Sequence, residues 1–468
     1  MAPSVALAGY QPVSYDPPIT VGSMADFALD PVRLMRQLYE EHGDLAILEE
    51  GMKRLVFVFS PKLNQQVLSD TETYHAHFFA IRGPKHSSQR KLTTGLLGMN
   101  GAQHKRNRRL VKEPFSKRSI ATYHERIARI ADETLDGWRI GQTRNLHEDM
   151  TRYMLRVTST ILFGFDREDM ALRIGKKLDR WAALQHELGI GALVPDDRFS
   201  EGYEELLEFS QELEGDIMEM IRLRQRESAE GDDVLSILVR SFDDQGGLSD
   251  EELVGQSAVL FAAAHLTTAH SLTWTLVLLA QHPGIMRRLY KELATGDAAG
   301  PARAEVGGTT TLLDRVIKES MRVLPASSYS QRVSTRAVRL GPMDFPGGTP
   351  IVWSPFMTHH RADLYPSPER FLPERWANIH PSAYEYLPFG AGPRMCIGGP
   401  LAMMVIKATL PRILLRYRLK LEPGAEIDGR VISTMLTPTT AIPMQVHAAG
   451  SDYTASLIHG TIREMVEI

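Results

Sequence analysis

Apolar positions recur along most of the chain with the spacing of helices, and in a few short stretches with that of strands. From Asp30 onward, Val32, Leu34, Met35, Leu38 and Tyr39 fall on one side of a helix. Asp30 stands as its N-cap and Pro31 at its first position, where the missing N–H costs nothing. Gly43 stops it. Two β-prone runs, residues 45–48 and 55–59, follow around Gly51. From there to about residue 325 the pattern is mostly helical. Its longest stretch starts at Ser249, where Ser249 and Glu252 form an S-x-x-E capping box. Nothing interrupts it before His282-Pro283, which predicts a helix of ~30 residues, ~45 Å long. It is apolar nearly all round over 259–264 and 272–280, so it belongs in the middle of a large core.

Residues 296–311 read as a Gly-, Ala- and Thr-rich connection, because helical sequence resumes at Leu312. Beyond Pro325, β-prone runs at 331–333, 337–340 and 350–353 alternate with Pro and Gly. Residues 365–393 are proline-rich coil, a length that inside a compact domain is usually functional. A last helix over 400–417 contains Pro411, expected to kink it, and strand-like pieces near Lys420 and Ile442 close the body. In the tail, Leu457, Ile458, Ile462, Met465 and Val466 have helical spacing and predict a short docked helix. The fold class is mainly α with a small β part. One large domain spans 21–446, between an N-terminal extension over 1–20 and a tail over 447–468.

Composition narrows the function. A chain of 468 residues buries roughly 75% of the surface it exposes unfolded. With 53 Lys+Arg against 57 Asp+Glu it lacks the basic excess of a nucleic-acid binder. No basic segment followed by an apolar run opens the chain, and no 18 consecutive apolar residues occur, so a soluble, cytoplasmic protein without membrane anchor is expected. The single cysteine, Cys396, excludes an internal disulfide, multi-cysteine zinc sites and a four-cysteine iron–sulfur cluster.

That cysteine sits in Phe389-Gly-Ala-Gly-Pro-Arg-Met-Cys396-Ile-Gly398, a Gly-shaped loop opening a helix. The positive end of the helix and the nearby Arg394 favour an anionic sulfur. The loop matches F-x-x-G-x-R-x-C-x-G at Phe389, Gly392, Arg394, Cys396 and Gly398, and resembles the haem-binding loop of the cytochrome P-450 family. Three further segments resemble that family in the right order: Glu319 and Arg322 as E-x-x-R, Pro373-Glu-Arg-Trp376 with Arg375, and His104 with Arg108 as H-x-x-x-R.

The resemblance implies a cytochrome P-450 fold, with a long central helix over a buried haem b whose iron takes Cys396 as axial thiolate. It places His104, Arg108, Arg332 and Arg394 on the haem propionates, and gives Glu319, Arg322 and Arg375 a structural role behind the haem. It implies a monooxygenase acting on a lipophilic small molecule, as in secondary metabolism. Neither a dinucleotide fingerprint nor a fused redox domain is present, so a ferredoxin and its reductase are the expected donors. Lys105, Arg106, Arg109 and Lys112 offer an outward basic face for such a donor. A haem sensor or ligand carrier without turnover is the alternative from another class. The resemblance also places a substrate pocket among 75–97, 184–193, 261–267, 326–329 and 435–436.

One site departs from the family pattern. Where [AG]-G-x-[DE]-T is usual, this chain reads Ala263-Ala264-His265-Leu266-Thr267, then Thr268. Thr267 matches the hydroxyl that helps hold the oxygen complex, Leu266 stands in place of the acid, and Ala264 in place of glycine. Leucine cannot pass a proton. Three explanations stay open: His265 or ordered water substitutes, peroxide drives the reaction, or the haem performs a rearrangement, dehydration or group transfer.

Overall fold

The computed structural model describes residues 18–77, 81–191, 198–227, 231–295 and 311–468. The local signals act where the sequence puts them. Asp30 Oδ1 accepts from Arg33 N at 3.1 Å and starts the helix Pro31–His42. Ser249 Oγ accepts from Glu252 N at 3.2 Å, and Glu252 Oε2 accepts from Ser249 N at 3.0 Å. The central helix they open runs Asp250–Gln281. Helices Leu146–Phe163, Glu168–Gly191, Arg198–Arg226, Leu312–Val323 and Gly399–Arg416 pack around it. Its residues over 253–261 and 268–281 are all buried, as its apolar circumference requires. Even Trp274 is enclosed, its Nε1 donating to Leu436 O at 3.0 Å.

The β part is a six-stranded sheet in the order Ile19–Val21, Leu45–Glu50, Lys53–Val58, Pro350–Trp353, Ser330–Ser334, Tyr74–Ala76. The hairpin of its second and third strands turns at Gly51, whose φ is +59°. Lys53–Val58 then pairs in parallel with Pro350–Trp353, which joins an early segment of the chain to one that follows the central helix. Arg332 lies between Ile351 and Ala76 in this sheet. One face of the sheet, with Val56, Val58 and Trp353, packs on Leu387 and Ala391, so the sheet supports the coil leading to the cysteine.

The tail differs from its helical reading. Ile458, Ile462, Met465 and Val466 are buried and Leu457 is exposed, yet only Thr461–Glu464 makes a turn, of 3-10 type. The rest runs extended, bridging to Glu426 at His459 and to Arg370 at Glu467. Gly460 sets this course. Its φ is +99° and a Cβ there would meet Ile427 O at 2.3 Å, so the chain passes too close to its neighbour for a helix. Apolar spacing of three and four serves a strap touching the core at intervals as well as it serves a helix. The helix Gly399–Arg416 continues through Pro411. The connection at 296–311 lies, up to residue 310, outside the described residues, as does the N-terminal extension up to residue 17. Ile19–Val21 is already part of the sheet. Among the described residues no helix is long and apolar enough to cross a membrane.

Candidate active site

A buried carboxylate anchors the coil that carries the cysteine. Glu319 Oε1 accepts from Arg322 Nη2, Arg375 Nε and Leu372 N, each at 2.9 Å. Its Oε2 accepts from Arg322 Nε at 2.9 Å and Trp376 Nε1 at 2.8 Å. Arg322 spends its remaining donors on the carbonyls of His359, Pro368 and Arg370. The Glu319–Arg322 pair is fully enclosed, so its charges are held by geometry that satisfies every acceptor site. His359 Nε2 accepts from Leu387 N at 2.7 Å, which fixes the chain two residues before Phe389.

The cysteine loop is shaped by glycine. Gly392 has φ +72°, and a Cβ on it would meet Leu68 O at 2.3 Å. Cys396 N donates to Phe389 O at 2.8 Å and Met395 N to Gly392 O at 3.0 Å. The helix Gly399–Arg416 follows with Pro400 in its first turn. Burial among protein atoms pushes the thiol up, against the pull of the Gly398 and Gly399 N–H groups at the helix start and of the Arg108 charge. Cys396 nonetheless keeps open surface. Such a sulfur becomes an anion once a metal cation takes it.

Next to it three guanidinium groups and one imidazole converge. Arg108 Nη2 donates to Met395 O at 2.6 Å, and Arg394 Nη1 to Met99 O at 2.8 Å, so the cysteine loop is stitched to the helix Gly101–Val111 and the residues before it. Arg332 lies over the Trp353 ring at 5.8 Å. Burial, then the neighbouring Arg394, brings Arg332 down to about 9. Burial, then Arg108, brings Arg394 down to about 10. His104 falls to about 4, by burial first and then by Arg394, Arg108 and Arg332. Among the described residues no carboxylate pairs with any of the four. Buried like charges require a counter-charge, and the two propionates of a haem supply one. The donor set, a lone thiol with a cluster of unneutralised cations, fits that group.

Beyond its first turn the central helix is open only over 262–267, where Ala263 is exposed and Ala262, Ala264, Leu266 and Thr267 are partly so. Thr267 Oγ1 donates to Ala263 O at 2.7 Å. Helix geometry puts Ala263, Leu266 and Thr267 on one face and His265 on the opposite one. His265 is buried, stacks on Phe261 at 5.4 Å and has Nε2 3.4 Å from Asp179 Oδ1. The substitution of His265 for the acid is therefore not made from the open face. Thr268 is buried beside it.

Other expectations separate in the same way. The outward basic face is largely self-paired: Lys105 meets Glu72, Arg106 meets Asp243 and Glu252, and Arg109 meets Asp243. Of the pocket segments, 326–328 and 434–436 are brought together by Ser328 N to Thr434 O at 2.8 Å and Leu436 N to Ala326 O at 3.0 Å. Gly95 and Gly255 approach so closely that a Cβ on Gly95 would meet Gly255 O at 2.4 Å, which sets 94–96 against the central helix. Tyr329 and Leu436 are core residues, and 78–80 and 192–197 lie outside the described residues. Sequence reasoning missed Leu372 N and Trp376 as partners of Glu319, because both contacts are long-range. It also missed His270, whose only signal is its place four residues after Leu266.

A family model described as cytochrome P-450 matches residues 14–444. Among curated proteins, cyclooctat-9-en-7-ol 5-monooxygenase of Streptomyces melanosporofaciens is 30% identical over 404 residues, covering 82% of this chain and 84% of its own. Pentalenene oxygenase of Streptomyces avermitilis is 28% identical over 421 residues, covering 87% and 91%. Among known structures, retinoic acid bound cyanobacterial CYP120A1 superposes with a TM-score of 0.78 at 22% identity, over 92% of this chain and 99% of that one.

Proposed function

The chain belongs to the cytochrome P-450 family, and from that premise we propose that this monooxygenase inserts one atom of O2 into a lipophilic, terpenoid-sized molecule. The observation that carries the reading is the convergence of three unneutralised arginines, with His104 among them, beside the one cysteine. The names of its relatives, a cyclooctatenol monooxygenase and a pentalenene oxygenase, support the substrate class. Haem b, bound there, supplies the electron transfer and oxygen chemistry, with thiolate donation favouring O–O cleavage.

The chain's own residues do the rest. Cys396 holds the iron, and its two backbone N–H donors temper the charge on the sulfur. Arg108, Arg332, Arg394 and His104 hold the propionates, while Phe389, Gly392 and Gly398 shape the loop. Thr267 keeps a proton at Oγ1 on the open face, where it donates to Ala263 O. Electrons come from a separate ferredoxin and its reductase in the cytoplasm, a compartment that suits a free thiol. Because the outward cations near the helix Gly101–Val111 are mostly paired within the chain, donor docking depends only weakly on salt.

The test is to supply the haem-loaded protein with reduced ferredoxin, isotopically labelled oxygen gas and a panel of terpene hydrocarbons and alcohols. A product carrying one labelled oxygen atom is expected, and products without oxygen uptake overturn the reading. One observation, Leu266 in place of an acid, favours a second reading in which peroxide supplies oxygen already reduced. Peroxide-driven turnover far exceeding donor-driven turnover selects it.

A further inference from the structure

Two histidines, one buried and one half-buried, remain without a task in this reading. His270 stands three residues after Thr267 and four after Leu266, so Ala263, Leu266, Thr267 and His270 form one i, i+3, i+4, i+7 stripe along the central helix. The rise from Thr267 to His270 is only ~4.5 Å. The His270 ring is 1% exposed, and both of its nitrogens are enclosed without a hydrogen-bond partner. Against it lies the His147 ring, from the first turn of Leu146–Phe163, with centroids 5.4 Å apart. His147 is half-buried, and its Nδ1 is likewise enclosed and unpartnered. Thr151 Oγ1 and Thr158 Oγ1, four and eleven residues further along the same helix face, are in the same condition.

This is an expensive way to fill a helix contact. A buried polar group without a partner is destabilising, and a leucine at 270 would pack there without that cost. Polar groups enclosed in this way are the setting in which buried water is held.

We propose that His147 and His270 carry protons from solvent, through water held between the two helices, to the Thr267 face, in place of the acid that Leu266 omits. This rests on the oxygenase reading above. Burial keeps both rings neutral. It brings His270 down to about 3, with His147 and then His265 adding to the effect, and it lowers His147 against the pull of Glu148. A neutral imidazole passes protons without storing charge: it accepts one on its bare nitrogen and releases the one on the other. One proton enters from water at His147, one leaves toward Thr267, and no electron moves.

The first test needs no turnover. In the haem-loaded protein with nitrogen-labelled histidine, NMR follows exchange of the His270 ring N–H into deuterated water. Exchange should slow about tenfold or more in His147→Phe. Equally slow exchange in both proteins means a sealed core contact and overturns the proposal. The second test separates donor-driven from peroxide-driven turnover. His270→Leu should lower product formed per electron supplied by ~10²-fold while peroxide-driven turnover holds within about twofold. Adding Leu266→Glu should restore the donor-driven reaction. If both routes fall together, or Leu266→Glu restores nothing, His270 is packing only. A parent protein that consumes no oxygen at all refutes the oxygenase reading instead, and the exchange rate still decides the conduit.

Discussion

Glu319→Gln is the substitution whose cost follows most directly from the geometry. The carboxylate accepts five hydrogen bonds, three on Oε1 and two on Oε2. The amide keeps one acceptor oxygen. Its better orientation leaves the oxygen facing Arg322 Nη2, Arg375 and Leu372, and turns NH2 toward Arg322 Nε and Trp376 Nε1. Two bonds are lost and two pairs of donors oppose each other. Removing one partner of a buried ion pair costs about 3–5 kcal/mol, and two bonds at about 1.5–3 kcal/mol for charged groups give the same range. These are two views of one energy, so the expected loss is about 4 kcal/mol. That is a large part of a total of roughly 5–15 kcal/mol. Urea unfolding of the haem-loaded protein, followed by tryptophan fluorescence, measures it. Glu374→Gln is the control in the same segment. Glu374 pairs with Arg288, but the two side chains are 46% and 54% exposed, so its loss should stay below about 1 kcal/mol. If Glu319→Gln unfolds within about 1 kcal/mol of the parent at unchanged urea slope, the anchoring role of Glu319 is wrong.

Three further outcomes are expected. Gly392→Ala forces a Cβ into Leu68 O at a residue with positive φ, so it should lose at least ~1–2 kcal/mol and lower the fraction of protein that retains haem, read from the absorbance ratio of haem to protein. Arg332→Leu should speed haem transfer to a haem-binding acceptor protein, because one of three arginine cations is gone; an unchanged rate removes Arg332 from the propionate set. The third is pH dependence. His270 titrates at about 3 when folded, below its unfolded value of about 6.5. The unfolded chain then binds the extra proton between these values, so unfolding free energy should fall as pH drops below about 6.5, by at most about 1.4 kcal/mol per pH unit for this group. His270→Leu should flatten that slope in equilibrium unfolding; an unaltered slope means the ring is charged or exposed when folded.

Legibility followed the range of the interaction. The capping box at Ser249 and Glu252, the Asp30-Pro31 start and the glycines of the cysteine loop are local, and their sequence signals translate directly into structure. The charge cluster of Glu319, Arg322 and Arg375 was readable only as a motif, since the contacts that enclose it cross dozens of residues. The tail shows why apolar spacing alone misleads: the same residues are buried, but Gly460 passes against Ile427 and excludes a helix. The basic face after His104 looked available by composition, whereas Asp243, Glu252 and Glu72 neutralise it from distant segments. His265 and Leu266 are neighbours in sequence and lie on different faces in space. No sequence signal marks His147 as the partner of His270, because that pairing depends on how two helices cross.

The central claim is that Cys396, beside the cluster of Arg108, Arg332 and Arg394, is the thiolate ligand of a bound haem. The carbon monoxide difference spectrum of the reduced, haem-loaded protein tests it most directly. The parent should show the long-wavelength band that gives the family its name, and Cys396→Ser should bind haem without that band. Persistence of the band in Cys396→Ser would contradict the account.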